Sequence, residues 1–247
     1  MMFDKIIFIT SHHSPNNCKT LDLLNRLGYD GQYKIVIDNE DKYIDDYKAK
    51  YGDNLVIFDK QYYIKITDSP YEHDKKPRAC VVYARNAIED YCLQHNIKLF
   101  CVSDDDLVNI DYKTVNYDMQ KLKVEKLGYG DINYILDAYF NFLINSKFAV
   151  TGFGTDDFYF GYDSVVSGST LQKWSLSNFF IRNRDIDIRW IFPMEDFDTA
   201  ICDGVRGKIH LPHLGVKLNV SPQYTQKGGK TIGDNGMIDF ITIRMIL

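Results

Sequence analysis

Lys98-Leu99-Phe100-Cys101-Val102-Ser103-Asp104-Asp105-Asp106 is a short apolar run that ends on three consecutive acids. The run Lys98–Val102 reads as a buried β-strand, and Ser103 is the last small residue before the carboxylates. Adjacent carboxylates repel one another, and burial next to a strand would make that worse. A divalent cation removes the cost, because Mg²⁺ and Mn²⁺ prefer hard oxygen ligands and bridge phosphates. A rigid strand would also hold such ligands in place. The competing reading is a solvated acidic turn.

Upstream, strand and helix signals alternate. Lys5–Thr10, Tyr33–Ile37 and Leu55–Phe58 are short β-rich apolar runs. Between them, Cys18–Leu27 carries Leu21, Leu24 and Leu27 at helical spacing, and Lys42–Tyr51 reads as a polar helix. A polar loop is expected from Gln61 to Lys76, then an amphipathic helix from about Arg78 to His95 that leads into the acidic strand. Strands spaced by helices imply parallel βαβ units and a doubly wound α/β sheet. Ligands bind such sheets beyond the carboxyl ends of the strands. The polar residues there are Thr10-Ser11-His12-His13, Asp38-Asn39-Glu40-Asp41, Asp59-Lys60 and Ser103 to Asp106, so the chemistry gathers at one edge.

Downstream, Asp131 is expected to cap a helix with the stripe Ile132, Ile135, Leu136, Tyr139 and Leu143. Phe148–Val150 reads as a short strand, and Asn178–Arg184 and Asp187–Phe192 alternate like strands. Neither a repeat nor a low-complexity linker appears, so a single domain over 1–247 is expected.

Composition narrows the function. The net charge is −5, against the basic balance usual for proteins that grip long nucleic acid. A local basic patch could be built only from Arg182, Arg184, Arg189, Arg206 and Lys208, which read equally well as solvated charges. Five scattered cysteines without a CxxC pair suggest a reduced compartment. No apolar stretch reaches the length of a membrane span, so a cytoplasmic protein without membrane attachment is expected.

A strand ending in Asp-x-Asp within a βαβ series resembles the DxD signature of GT-A glycosyltransferases. The segments Ile37–Asp41, Val56–Lys60, Ala84-Arg85-Asn86 and Val102–Asp106 together resemble one branch, the TET/JBP-associated glycosyltransferases found largely in phages. The resemblance covers the first half of the chain. It implies a GT-A-like (Rossmann-like) mixed sheet flanked by helices, with a nucleotide-sugar donor half in about 1–150 and an acceptor half beyond. It further implies Mn²⁺ or Mg²⁺ on Asp104 and Asp106. The donor would be a nucleotide diphosphate sugar, expected to be uridine-linked, and the acceptor a hydroxymethylated pyrimidine of DNA such as 5-hydroxymethylcytosine, in the cytoplasm of an infected bacterium. Thr10, Ser11, His12, Asp38, Asn39, Lys60, Arg85 and Asp105 become donor-binding candidates.

Later segments fill the remaining roles. Glu195 and Asp196 follow the expected strand Asp187–Phe192 and could accept the acceptor hydroxyl's proton; a helix N-terminus is the equal alternative. His210 or His213 could add a metal ligand, or be ordinary core or loop histidines. Lys230, in Gly228-Gly229-Lys230-Thr231, could meet the donor phosphates. That run is no Walker A loop, because Tyr224 stands where the first glycine would be. Phe153, Phe158, Tyr159, Phe160 and Tyr162 could stack on an extruded base. Other acceptors, a glycan or a sugar already on DNA, remain open. So do a nucleotidyltransferase, which also holds Mg²⁺ on paired carboxylates, and a non-catalytic binding module.

Overall fold

A computed structural model describes residues 4–67, 81–116, 121–155, 179–184, 188–190 and 195–220. The first four strands are β1 (Ile6–Thr10), β2 (Gln32–Asp38), β3 (Leu55–Phe58) and β4 (Leu99–Asp104), all mutually parallel in the order β3-β2-β1-β4. Each lies where its apolar run is found. Helices α1 (Lys19–Arg26), α2 (Ile44–Tyr51), α3 (Lys60–Ile66) and α4 (Val81–Gln94) connect them. The sheet becomes mixed beyond β4. Strand β8 (Phe179–Asn183) joins β4 antiparallel, then β7 (Phe148–Thr155) and β9 (Ile209–Val220) follow, and β5 (Leu107–Asn116) with β6 (Lys121–Lys126) completes nine strands. The α/β mixed sheet flanked by helices is thus the architecture expected.

Alternation along the strands divides the core in two. Ile7 and Ile9 of β1 face α1, α2 and α5 (Asp131–Ile144), while Ile6 and Phe8 face α3 and α4. Every residue of β1 is buried, which is why it reads as a continuous apolar run rather than an alternating one.

Several expectations are corrected. Residues from Gln61 onward are not all loop: α3 spans Lys60–Ile66, started by Asp59, whose carboxylate accepts the Tyr62 N–H at 3.1 Å. The rest of the expected loop lies outside the described residues. Asp131 is the first residue of α5, one past its cap: Gly130 takes that place at φ 87°, and Asp131 instead accepts the Gly128 N–H at 2.7 Å. Ile188–Trp190 forms no strand. Trp190 pairs through both backbone groups with the Asn86 side-chain amide, at 2.9 Å each, so one amide does the work of a neighbouring strand. Phe153 is fully buried and stacked on Phe179 at 4.9 Å, so it is core and not a platform for a base. The other four aromatics proposed for that role lie outside the described residues.

Strand β9 curls the sheet back on itself. Ile209 to Leu218 run beside β7, Val216 to Val220 also run beside β5, and Val220 pairs with Leu107. The break falls between Phe153 and Gly154, whose partners jump from His213 to Lys217. At Gly152 the backbone of β8 comes so close that a Cβ would stand 2.9 Å from the Phe179 carbonyl oxygen. The curl returns the far end of the sheet to the residue that follows Asp106.

A buried ion pair joins the two halves. Arg182 of β8 donates through Nε to Glu89 of α4 at 2.9 Å, and both side chains are almost fully enclosed. Burial pushes the Glu89 carboxyl up, while Arg182 opposes the shift. Removing one member of such a pair costs about 3–5 kcal/mol. Arg182→Met should lower the unfolding free energy by about that amount in urea denaturation, and the double variant Glu89→Gln/Arg182→Met should recover part of it. A loss confined to a few tenths of a kcal/mol would mean that the pair does not hold the halves together.

Candidate active site at the carboxyl edge of the central strands

The acidic turn is fixed before any ligand arrives. Thr20, in the first turn of α1, donates through its hydroxyl to the Asp104 carbonyl at 2.6 Å and accepts the Leu107 N–H at 3.0 Å. Its own N–H donates to the Asp105 carbonyl at 3.2 Å. One threonine therefore bonds both ends and the middle of the turn. Nothing in the sequence around Thr20 marks it for this; the role rests on α1 docking beside β4.

Each acid then meets different company. The Thr10 hydroxyl donates to the Asp104 carboxylate at 3.0 Å, and the Arg85 guanidinium lies 4.0 Å from it. Arg85 is itself buried between the Phe180 and Trp190 rings, 5.2 Å from each centroid. The Asp105 carboxylate turns the other way and accepts the Ser11 hydroxyl at 2.6 Å, and Ser11 also contacts the Tyr47 hydroxyl at 2.8 Å. Burial pushes the Asp105 carboxyl up to about 7; Ser11 opposes the shift, and the charges of Asp104 and Asp106 add to it. Asp104 and Asp106 are partly exposed. These hard oxygens on a pinned turn fit a divalent cation, whose charge would offset the crowding that raises Asp105.

A second group sits beyond β1 and β2. Lys60 is buried, with its ammonium 3.7 Å from Asp38 and 3.6 Å from Glu40. Burial alone would raise the Asp38 carboxyl, but the neighbouring His12 ring, the Lys60 charge and the Glu40 N–H hold it below its usual range. Asn39 accepts the Lys60 N–H at 3.1 Å, tying the β2 and β3 ends together. His12 stacks on His13 at 3.6 Å. Thr10, Ser11, His12, Asp38, Asn39, Lys60 and Asp105 line one continuous edge at the strand ends, and Arg85 reaches it from inside α4.

The later candidates divide. His210 pairs with Val150, which pairs with Arg182, which pairs with Phe100. That level is four residues, about 13 Å, back from Asp104 along β4. There the His210 Nε2 and an Asp203 carboxylate oxygen lie 2.9 Å apart in the core. His213 pairs with Phe153, one residue past Gly152, whose partner Phe180 pairs with Val102. The backbone of His213 is thus level with Ser103; its side chain lies outside the described residues. Glu195 and Asp196 open α6 (Glu195–Val205), the helix start that was the alternative, and their side chains likewise lie outside the description, as does Lys230.

The proposed basic patch is also redrawn. Arg182 is in the core, and Arg189 bonds Asp90 at 2.7 Å. Arg184 donates its N–H to the Lys98 carbonyl at the amino end of β4, and Arg206 and Lys208 precede β9 at the same edge. Lys98 and Asp104 are separated by about 20 Å of strand, so these cations gather opposite the acids.

The family model described as TET-Associated Glycosyltransferase matches residues 5–212. The chain belongs to this family. It is a glycosyltransferase, and the acidic turn, Arg85 and strands β1 to β8 lie inside the matched span. No curated protein matches it. Among solved structures, this glycosyltransferase is similar to glucosyl-3-phosphoglycerate synthase from Mycobacterium tuberculosis in complex with Mg²⁺ and uridine-diphosphate, at 9% identity and TM-score 0.46 over 89% of this chain and 72% of that one. A complex of the same enzyme with Mn²⁺, uridine-diphosphate and phosphoglyceric acid matches at 8% identity and TM-score 0.47, over 98% and 77%. Among the described residues, no helix is long and apolar enough to cross a membrane.

The raised Asp105 carboxyl has a stability signature. Unfolded, it ionises near pH 4; folded and metal-free, near 7. Between those values the unfolded state binds fewer protons, so this group makes the metal-free protein less stable as pH rises through the window. Asp105→Asn should therefore flatten the melting temperature between about pH 4.5 and 7 relative to the parent chain in EDTA. Parallel pH profiles for the two proteins would remove the assignment.

Proposed function

We propose that this glycosyltransferase moves a sugar from a nucleotide diphosphate sugar, uridine-linked, to the hydroxymethyl group of 5-hydroxymethylcytosine in DNA, within a single catalytic domain. The observation that carries the donor half of this reading is the pinned turn of Asp104 and Asp106, with Arg85 against it, at the edge shared with Asp38, Asn39 and Lys60.

In this reading Asp104 and Asp106 would hold Mn²⁺ or Mg²⁺, which would supply positive charge against the leaving diphosphate. Arg85 adds a fixed positive charge beside the same oxygens, kept in place by the Phe180 and Trp190 rings. Asp38, Asn39 and Lys60 receive the nucleoside, and His12 flanks it. Asp105 stays in the turn's frame through Ser11. Lys230 supplies a further counter-charge.

Asp196, or failing it Glu195, takes the proton from the attacking hydroxyl. Two backbone facts support this choice. Asp196 stands seven residues before Asp203, so both fall on one face of α6, about 10 Å apart. The chain reverses at Gly207 (φ 76°) before β9 begins, so the start of α6 lies toward the end of the sheet that carries Asp104. His213 is favoured over His210 as the further metal ligand, because its backbone is level with Ser103 and His210 is engaged with Asp203.

The acceptor rests on family membership. An in-duplex base must be extruded to reach such an edge. Arg184, Arg206 and Lys208 lie at the opposite edge, so these three do not meet phosphates beside the acids.

Asp104→Asn and Asp106→Asn should each abolish turnover and Mn²⁺-dependent binding of uridine diphosphate, with an unchanged circular dichroism spectrum. Metal-independent transfer would remove the central claim. Asp196→Asn should lower the single-turnover rate by about 10²–10⁴-fold while donor affinity stays within twofold; loss of donor binding instead would assign Asp196 to the metal or the frame. The acceptor is tested by mass. Hydroxymethylated duplex incubated with a panel of sugar nucleotides should gain one sugar per modified base, and unmodified duplex none. Modification of a free sugar or glycan alone would overturn the DNA acceptor while leaving the transferase.

A further inference from the structure

The end of β1 carries more than the donor site uses. One ring nitrogen each of His12 and His13 and a carboxylate oxygen of Asp41 all lie within 4.8 Å of one another. The His12 Nδ1 is enclosed without a hydrogen bond and stands 3.6 Å from an oxygen of Asp41 and 3.6 Å from one of Asp38. Ligand atoms about 2.1 Å from a tetrahedral zinc are separated by about 3.4 Å, so the His12–Asp41 spacing already approximates one edge of such a site.

The third ligand is held ready. Asp41 is buried, and its two oxygens accept the backbone N–H groups of His13 and Tyr43, each at 2.8 Å. Each oxygen keeps a lone pair, and the bonds fix the carboxylate's orientation, as outer hydrogen bonds do around metal ligands. His13 is held at φ 56°, a left-handed backbone that brings its ring onto that of His12. Among the described residues this is the one His, Cys, Asp or Glu group whose ligand atoms converge in this way.

We propose that His12, His13 and Asp41 form a binding site for a transition-metal ion of the zinc, cobalt or nickel type, separate from the acidic turn and next to the nucleoside end of the donor site. The donor set decides the ion. Two imidazoles and one carboxylate suit borderline metals, whereas the all-oxygen turn suits Mg²⁺ or Mn²⁺. The location beside the nucleoside rests on the donor reading above; the metal site itself does not. Because His12 and Asp38 adjoin both, an ion on His12 and His13 would compete with the nucleotide, and Zn²⁺ would inhibit a reaction that Mn²⁺ supports.

The test uses Co²⁺ as the probe with the full chain. Titration should give intense visible absorption of tetrahedral or five-coordinate Co²⁺ at one equivalent. Asp104→Asn/Asp106→Asn should keep that signal, and His13→Ala and His12→Gln should each weaken Co²⁺ binding at least tenfold while melting as the parent does. Uridine diphosphate should shift the titration to higher Co²⁺. The proposal is overturned if the absorption is weak and octahedral, if the acidic-turn variant abolishes it, or if both histidine variants bind Co²⁺ as the parent does. Loss of Mn²⁺-dependent nucleotide binding in the acidic-turn variant tests the donor reading separately.

Discussion

Three carboxylates in a row at the end of a buried strand must be kept apart, and much of the site follows from how that is done. The turn is bonded to Thr20 at both ends and at its middle, so its backbone cannot relax to let the charges spread. The side chains separate by direction instead. Asp104 faces Thr10 and Arg85, and Asp105 faces Ser11 under the first strand. What remains of the repulsion, added to burial, appears in the raised Asp105 carboxyl. A bound cation would relieve that repulsion, which is why the turn carries the proposed metal site.

Arg85 illustrates how the rest of the sheet serves that edge. Its guanidinium lies between Phe180 of β8 and Trp190, and Trp190 is fixed by Asn86 and its indole N–H by Glu89. Glu89 in turn is held by Arg182 of β8. Residues 85, 86 and 89 of one helix thus bind β8 and the segment before α6 into a frame for one cation. Loss of any member would be felt at Asp104 as misplacement of Arg85, a route by which packing far from the reacting atoms changes chemistry.

The parallel half was legible because burial on both faces turns strands into plain apolar runs, and because polar residues stop them abruptly. Lys5–Thr10 and Leu99–Asp104 declare themselves this way. The curled half was not. Strand β9 contains Pro212 and Gly215, both of which signal a break, yet it runs twelve residues because β7 pairs with it on one side across a bulge and β5 on the other. Strand β5 is half polar and is made a strand by β9 and β6. At the site, the acids, Arg85 and Lys60 could be read as strand-end and helix-start chemistry. Thr20, Tyr47 and Asn86 could not, since each acts on a backbone or hydroxyl that only tertiary packing brings near.

The segment Thr10 to His13 connects everything at the edge. Thr10 and Ser11 bond the acidic turn, and the next two residues bond or face Asp38 and Asp41 at the end of β2. Four consecutive residues therefore join the end of β4 to the end of β2. An extended strand would send alternate side chains to opposite faces. The left-handed backbone at His13 breaks that alternation and lays two imidazoles side by side. A residue other than glycine is held there only where its surroundings over-determine it, and here Asp41 does so by accepting the His13 N–H. Any ion or nucleotide that moves His12 or His13 must act through the same four residues on Asp104 and Asp105. The ends of β2 and β4 are therefore coupled through one short segment.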